Sequence, residues 1–364
     1  MNKATALFGS CLAFASMPAM AADCELWNTQ EFFATATLEA VTACLDDYAD
    51  PNIHDHEYNT PLYFAIRFSN DRAVINALLA AGADPNVHVT MRRTPIRLAA
   101  TWNEDPAVID ALVAAGGDPK ARNEWNNTPL HMAAASNENP AVIEALIAAG
   151  ADPNARDKNN DATLHFAASA NENPAIIEAL ITAGADPNAR GNHNNTPLHN
   201  AARHNANPTV IDVLARAGAD PNVHMDIYDH TPLHEAAGQN KNPAVIDALV
   251  AAGADPNARG EDDDTPLHQA AGHNWNPAII DALAAAGADP NARDDGNNTP
   301  LHSAVKISET PVTVFELLKV GADPTARNYW GATPRNLAFS RFSPNRSRGF
   351  ISALERGAAI AAKP

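Results

Sequence analysis

Six histidines recur at a fixed interval and are the first residues in this sequence that could do chemistry. Each ends a Thr-Pro-Leu-His motif or its near equivalent Ala-Thr-Leu-His, and successive members lie 34 or 35 residues apart. The six are His131, His165, His199, His234, His268 and His302. An imidazole can bind a transition metal or transfer a proton near neutral pH, so a metal centre or an acid–base site is one hypothesis.

The regular interval favours a structural role for these histidines. One histidine in each repeating unit means that stacking separates neighbouring imidazoles by the distance between packed helices, roughly 8–10 Å. Zinc ligands, in contrast, must converge to about 2 Å from a single ion. We therefore expect each histidine to form hydrogen bonds within the turns of its own repeat, and we predict no metal site and no cofactor.

Other residues that could do chemistry lack a recognisable pattern. The acidic run from Glu261 to Asp264 has neither the alternating oxygen ligands nor the later glutamate of a calcium loop. The sequence contains no nucleophile elbow and no phosphate-binding loop. An enzyme would need a polar cluster outside the repeating framework, and the sequence reveals none, so we predict that the chain is not an enzyme.

The elements that position the histidines are repeats. A Thr-Pro dipeptide, with Ala162-Thr163 once in its place, recurs every 34 residues, except for one step of 35 residues between Thr196 and Thr231. The threonines are Thr60, Thr94, Thr128, Thr196, Thr231, Thr265, Thr299 and Thr333. A fixed period of this size is typical of a solenoid, in which units too small to fold alone stack into one core.

Each unit has the pattern of two short helices. Thr128 is a good N-cap and Pro129 suits the first helical position, because the N–H that proline lacks is unpaired there. Asn139 and Pro140 repeat this arrangement, so the second proline begins a second helix and interrupts nothing. Gly150 then ends that helix in a conformation with positive φ.

The link to the next unit is predicted to be a finger, a hairpin-like turn that precedes each Thr-Pro. The position two before each threonine needs a residue that tolerates the left-handed region, and Asn, Asp and Gly do so most readily. This position is occupied by Asn126, Asn160, Asn194, Asp229, Asp263, Asn297 and Gly331.

These motifs resemble the ankyrin repeat over roughly residues 25 to 360. The sequence TPLH occurs at 128–131, 196–199, 231–234, 265–268 and 299–302, and GADPN occurs at 82–86, 150–154, 184–188, 218–222, 253–257 and 287–291. The turn between the two helices departs from the family, because an Asn-x-Asn-Pro segment replaces the usual Gly-His and lengthens the repeat by one residue.

The resemblance implies an all-α solenoid of stacked antiparallel helix pairs with hairpin-like fingers. We expect about nine repeats and a degenerate N-terminal helix pair. The expected divisions are a signal peptide at 1–21, an N-terminal capping helix pair and first finger at 22–58, repeats at 59–331, and a C-terminal capping repeat at 332–364.

The first residues predict export. Lys3 precedes an apolar run from Ala4 to Ala15, and Ala19-Met20-Ala21 fits a signal peptidase site, so the mature chain would begin near Ala22. The run is too short for a membrane span, and no later segment is apolar enough to insert. A lipoprotein signal at Cys11 is the alternative. The alanine-rich signal has a bacterial character, which predicts a periplasmic or secreted protein.

Two cysteines remain after the predicted cleavage. In the ankyrin register, Cys44 falls late in a second helix, in a column of buried leucines, and Cys24 falls just before the paired first helix. Antiparallel helices place these two ends side by side, and an exported protein meets an oxidising environment. A disulfide would staple the terminal repeat. The alternative is a buried Cys44 and a free Cys24.

Composition restricts the partners. The formal net charge is −18, which argues against binding nucleic acid or an anionic membrane surface. The resemblance implies a concave groove, made by finger tips and first helices, that binds a protein. Candidate contact residues are apolar side chains at variable positions on these elements: Phe68, Met91, Trp102, Trp125, Tyr228, Tyr329 and Trp330. We expect the first four to form one patch, or else to pack into the core.

The resulting hypothesis is a non-catalytic, exported and monomeric scaffold that binds a protein partner. One alternative is a secreted effector that acts on a host protein. Another is a periplasmic stress-related or metal-dependent enzyme.

Overall fold

A computed structural model describes residues 24–69, 71–89, 93–308, 310–341 and 344–361, without the side chains of 340–347 and 357–361. The predicted signal peptide and Met91 lie outside these residues. The chain divides into two compact units at Ala83 and Asp84. This division differs from the expected boundaries at 58/59 and 331/332, which stay predictions.

The first unit contains two helix pairs. Helices α1 (Gln30–Thr35) and α2 (Leu38–Asp46) form the degenerate pair expected within 22–58, and α3 (Pro61–Phe68) and α4 (Arg72–Ala80) form the next pair. Helix α1 packs against α3, and α2 packs against α4. A short 3-10 turn, Cys24–Leu26, precedes α1 and carries one sulfur of the only cysteine pair among the described residues.

An aromatic cluster fills the terminal helix pair. The ring of Phe32 lies 5.5 Å from that of Trp27 and 5.0 Å from that of Phe33, and both phenylalanines are buried. The Sγ atoms of Cys24 and Cys44 lie at bonding distance, 2.00 Å, and Cys44 is fully buried. Cys24 and Cys44 therefore lie next to each other, as the alignment with the ankyrin repeat implied.

The second unit repeats one helix pair eight times. Its first helices are α5 (Pro95–Trp102), α7 (Pro129–Ser136), α9 (Thr163–Ala170), α11 (Pro197–His204), α13 (Pro232–Gln239), α15 (Pro266–His273), α17 (Pro300–Ile307) and α19 (Pro334–Arg341). Its second helices are α6 (Pro106–Ala114), α8 (Pro140–Ala148), α10 (Pro174–Thr182), α12 (Pro208–Arg216), α14 (Pro243–Ala251), α16 (Pro277–Ala285), α18 (Val312–Lys319) and α20 (Pro344–Ala361).

Each first helix packs against the next first helix, and each second helix packs against the next second helix. The leucines expected in the core are fully buried: Leu112, Leu146, Leu180, Leu214, Leu249, Leu283 and Leu317. Isolated bridges at Val89–Arg93 and Arg156–Ala162 are the only extended pairings among the described residues. The predicted fold class, an all-α solenoid of helix pairs, is confirmed.

The helix boundaries follow from the caps that the sequence predicts. Asn139 accepts a hydrogen bond from the backbone N–H of Ala141 through its side chain, 3.0 Å away, and Pro140 begins α8. Gly150 has a φ of 93°, and the N–H of Ala151 donates to the carbonyl of Leu146. This arrangement satisfies two kinds of backbone group that a short helix leaves unpaired.

One cap differs from the expected pattern. Thr310 and Pro311 occupy the positions equivalent to Asn139 and Pro140, but α18 begins one residue later, at Val312. The Thr310 hydroxyl still accepts from the N–H of Val312, at 3.3 Å. Threonine has no second polar atom that could reach the preceding repeat, and the turn closes on Ser308 instead.

Positive φ values confirm the predicted finger conformation. All seven residues two positions before a threonine or alanine lie in the left-handed region: Asn126, Asn160, Asn194, Asp229, Asp263, Asn297 and Gly331. In the first unit, Tyr58 occupies the equivalent position with a φ of 65°. The fingers in which this position is described therefore turn in the same way.

Buried asparagines connect consecutive repeats and explain the longer turn. Asn171 donates from Nδ2 to the carbonyls of Ala134 and Asn137, at 3.1 and 2.8 Å, and accepts the N–H of Asn173 at Oδ1. The same asparagine ladder is formed by Asn137, Asn171, Asn205, Asn240 and Asn274. The Asn-x-Asn-Pro segment thus caps its own second helix and binds the preceding repeat.

Across the described residues, the structure contains no helix with the length and hydropathy of a membrane span.

Candidate functional site

The repeated histidines hold the framework together. His199 accepts the backbone N–H of Thr196 at Nδ1, 3.2 Å away, so the proton of the neutral ring lies on Nε2. Nε2 donates to the carbonyl of His230, 3.1 Å away in the next finger. Burial lowers the pKa of His199 to about 4. The expectation of hydrogen bonds within the histidine's own repeat holds for Nδ1, and the second nitrogen in addition binds the following repeat.

His131 is the exception. Its Nδ1 accepts from Thr128 in the same way, at 3.2 Å, but its buried Nε2 has no hydrogen-bond partner among the described residues. The edge of its ring contacts Phe166, with the ring centroids 5.0 Å apart. No group of three or more His, Cys, Asp or Glu side chains in the described part of the chain is arranged to hold a metal ion.

A second ladder fixes the fingers. Arg156 Nη1 donates to the carbonyl of Asn160 in its own finger and to that of Arg190 in the next. The N–H of Lys158 donates to the carbonyl of Trp125, at 2.9 Å, and so joins two finger tips directly. The arginine ladder recurs at Arg122, Arg156, Arg190, Arg259 and Arg293. Side chains at the finger tips therefore project from a fixed backbone.

Four of the predicted contact residues are exposed at these tips. Their exposed fractions are 56% for Trp125, 63% for Tyr228, 74% for Tyr329 and 79% for Trp330. Tyrosine and tryptophan are enriched at the cores of protein interfaces relative to the rest of the surface. The positions of these four residues favour the interface interpretation over the core interpretation.

The other three candidates are placed differently. Trp102 is half-buried, and the guanidinium of Arg93 lies 4.8 Å from its ring centroid. Phe68 belongs to the first unit, where it is half-buried and stacks on Phe64 at 6.3 Å. Met91 lies outside the described residues. The expected patch of Phe68, Met91, Trp102 and Trp125 therefore stays a prediction.

A polar cluster formed by side chains of the first helices and of the adjoining finger ends was not found by sequence reasoning. His230 Nδ1 donates to Glu235 Oε1 at 3.0 Å, and Glu235 Oε2 lies 3.3 Å from Arg203 Nη1. Gln269 Nε2 lies 3.2 Å from His230 Nε2 and donates to Asp264 Oδ2 at 2.6 Å. The expectation of no polar cluster outside the repeating framework was wrong.

Glu235 is the carboxylate of the cluster that the protein pairs with a positive charge. Burial would raise the pKa of Glu235, but the hydrogen bond from His230 and the positive charge of Arg203 outweigh burial and lower it. Glu235 is therefore an ionised carboxylate although its side chain is only 9% exposed. Both ring nitrogens of His230 are engaged, so the arrangement holds the imidazole in place and leaves no nitrogen for proton transfer to a substrate.

Trp275 is a second feature that sequence reasoning missed. It lies in the turn between α15 and α16 and is 72% exposed. The equivalent turn position carries a charged residue in most repeats, Glu104, Glu138, Glu172 and Lys241. A single tryptophan in a column of charged residues is a signal that a position-by-position alignment of the repeats could have detected.

Comparison with known proteins agrees with the fold. A family model of ankyrin repeats, built from three copies, matches residues 62–157, 96–191, 164–260 and 233–328, which together span more than half of the chain. The crystal structure of the human ASB11 ankyrin repeat domain is similar with a TM-score of 0.54 and 26% identity, over 65% of this chain and 99% of that one. No curated protein matches. On this sequence match and the paired-helix stack, the chain belongs to the ankyrin repeat family.

Proposed function

We propose that this chain is a non-catalytic, exported scaffold that binds a protein partner on its groove face, the surface of the second unit lined by finger tips and first helices. The observation that carries the proposal is the set of exposed aromatic side chains, Trp125, Tyr228, Tyr329 and Trp330, on fingers fixed by the arginine ladder. Ankyrin repeats generally mediate protein–protein binding, and a rigid aromatic surface loses little conformational entropy on association.

Export to the periplasm or the medium is part of the proposal. The N-terminal sequence has the features of a signal peptide, and a disulfide between the adjacent Cys24 and Cys44 would persist in an oxidising compartment. Cell fractionation and N-terminal sequencing test this part. A mature chain that begins near Ala22 outside the cytoplasm supports export, and an unprocessed cytoplasmic chain contradicts it.

Partner binding is tested by capture from the compartment that fractionation identifies. Trp125→Ala/Trp330→Ala removes two exposed aromatic side chains, and Glu138→Ala/Glu172→Ala serves as the matched control at exposed turn positions. We expect the first variant to fold and to bind the partner more weakly, with a loss of binding free energy of about 2 kcal/mol or more, as is typical when hot-spot residues are truncated. Equal capture by both variants would contradict the groove-face proposal.

A further inference from the structure

A cavity on the groove face has the chemistry to bind a cation. Its volume is about 330 Å³, and it lies between the Tyr228 finger, the next finger with Glu261 and Asp262, and the α15 side chains Gln269 and His273. The polar cluster forms its inner wall, since His230 and Asp264 also line it. The cavity therefore combines one exposed aromatic ring with three carboxylates.

The carboxylates of this cavity are not neutralised by the protein. Asp264 accepts from the neutral amide of Gln269, at 2.6 Å, and lies 3.8 Å from His230, whose Nδ1 already serves Glu235. Glu261 and Asp262 are exposed, and within the described chain neither forms a salt bridge. The nearby Arg259 pairs with Asp263 instead, at 3.7 Å. A positively charged group in the cavity would therefore be attracted by the carboxylates of Glu261, Asp262 and Asp264.

The ring of Tyr228 also favours a cationic ligand. Tyr228 is 63% exposed at a backbone φ of 63°, and its ring centroid lies 5.6 Å from that of His230. A tyrosine face attracts cations, and a guanidinium both stacks on such a face and fits carboxylates through two parallel hydrogen bonds. Arginine does both, whereas a lysine ammonium is attracted by the ring but neither stacks on it nor forms the bidentate pair.

The groove continues beyond this cavity. A second opening, of about 520 Å³, is lined by Gly238, His273 and Trp275, and His273 borders both openings. The slot of Gly238 carries Arg203 in the preceding repeat and Thr101 in an earlier one. A Cβ atom at Gly238 would lie no closer than 3.6 Å to Gln269, so packing does not require glycine there. Glycine inside a helix costs up to about 1 kcal/mol relative to alanine, and its effect here is to leave the floor of the groove open.

We infer that this groove binds a segment of a protein partner that places an arginine side chain between Tyr228 and the carboxylates and an apolar side chain against Trp275. The inference rests on the proposed function and names the chemistry of the partner. Charge complementarity supports this occupant, because an acidic or wholly apolar segment would leave Glu261, Asp262 and Asp264 facing no positive charge.

The test uses a random dodecapeptide phage library as the probe and the full chain as the target. We expect selected peptides to carry arginine with an apolar residue a few positions away. Replacing that arginine by citrulline, which has the same shape without the charge, should weaken binding by at least about tenfold in fluorescence anisotropy. Selection of no peptide, or of peptides without a basic residue, overturns the inference.

Variants locate the binding site. Glu261→Gln/Asp262→Asn removes two of the carboxylates that would face the arginine, and Trp275→Ala removes the ring that would contact the apolar side chain. Each variant should weaken binding of the selected peptide by at least about fivefold. Glu138→Gln/Glu172→Gln changes net charge equally at exposed turns elsewhere and should leave affinity unchanged. Equal losses in the groove and control variants overturn the inference, and thermal melts verify that each variant is folded.

The outcomes separate this inference from the proposed function. A chain that captures a partner through Trp125 and Trp330 but fails the peptide test keeps the proposed function and loses the arginine site. A chain that captures no partner and selects no peptide loses both.

Discussion

The two compact units use different interactions to hold similar helix pairs. In the first unit, the terminal pair rests on the aromatic cluster of Trp27, Phe32 and Phe33 and on the adjacent cysteines. In the second unit, the pairs are tied by asparagine, arginine and histidine ladders that pass from one repeat to the next. A ladder needs a neighbour on both sides, and a terminal repeat has one, so covalent and aromatic contacts take its place.

Acid should produce the largest difference between the units. Burial lowers the pKa of all six repeated histidines, to about 4 for His131 and His199 and about 3 for His234, and all six lie in the second unit. In the unfolded chain these groups protonate near their ordinary pKa of about 6.5, so the unfolded state binds more protons between pH 6.5 and 4. The contribution of the neutral histidines to the free energy of unfolding is therefore complete above pH 6.5. It falls as the pH drops from 6.5 to 4, by up to about 1.4 kcal/mol per pH unit for each histidine.

Hydrogen exchange between pH 7 and pH 5, corrected for intrinsic rates, measures this difference. The second unit should lose protection, and the first unit, whose described histidines His54 and His56 are exposed, should not. His199→Asn is the matched variant, because Asn336 accepts the N–H of Thr333 in the same position. This variant should make the protection of the second unit less dependent on pH. An equal loss of protection in both units at pH 5 would contradict the assignment of acid sensitivity to the repeated histidines.

Reduction should act on the first unit instead. A disulfide between Cys24 and Cys44 closes a loop with a sequence separation of 20 residues. Opening a loop of this length costs about 3 kcal/mol in chain entropy. Exchange with and without a reductant should show the loss in peptides from residues 24–83 and little change beyond them. A loss spread evenly over the chain, or free alkylatable thiols in the native protein, would refute this prediction.

The asparagine ladder gives a comparison at one equivalent position. Asn205 is buried and donates to the carbonyls of Ala168 and Asn171 while accepting the N–H of Asn207. Asn205→Ala leaves two buried carbonyls and one partly buried N–H unpaired, which should cost about 3 kcal/mol. In the first unit this position is Ser69, which among the described residues accepts one hydrogen bond, from the N–H of Asp71.

Ser69→Ala should therefore cost about 1 kcal/mol, the loss of one hydrogen bond. Denaturant titrations of both variants measure the ratio. If the serine and asparagine variants lose equal stability, the ladder contributes nothing beyond the local turn.

Helix caps should show the smallest effect and no difference between units. Asn139 and Asp71 each accept a backbone N–H in the first turn of a second helix, at 3.0 and 2.9 Å. Replacing either by alanine should cost about 1 kcal/mol. The losses of unfolding free energy that thermal melts give for the two variants should agree within a few tenths of a kcal/mol. A much larger loss for the Asn139 variant would show that the hydrogen bond from its side chain to the carbonyl of Glu104 adds to stability.

Local features of this fold were predictable and cross-repeat features were not. The period, the proline starts, the asparagine caps and the left-handed residues such as Asn126 depend on neighbours within a few positions, which the sequence displays directly. The ladder bonds of Asn205 join atoms 34 or more residues apart, and nothing near Asn205 identifies the carbonyls that it reaches.

The polar cluster was missed for the same reason. His230 and Glu235 lie five residues apart, but their significance depends on Arg203 and Gln269, which only stacking brings near them. The exposed aromatic residues were easier, since Trp125 and Tyr228 stand in finger positions that vary from repeat to repeat.

The ladders also determine how such a chain can grow. Each asparagine of the ladder supplies a donor to the repeat on one side and presents its own carbonyl to the repeat on the other, as Asn205 does between Asn171 and Asn240. A duplication of one whole repeat in the gene therefore arrives with both halves of every bond and needs no compensating substitution. Duplication of a fraction of a repeat would leave carbonyls and donors facing the wrong partners. The single 35-residue step is tolerated because its additional residue lies in the Tyr228 finger, outside the turns between the helices, and Asn240 still donates to the carbonyl of Asn205.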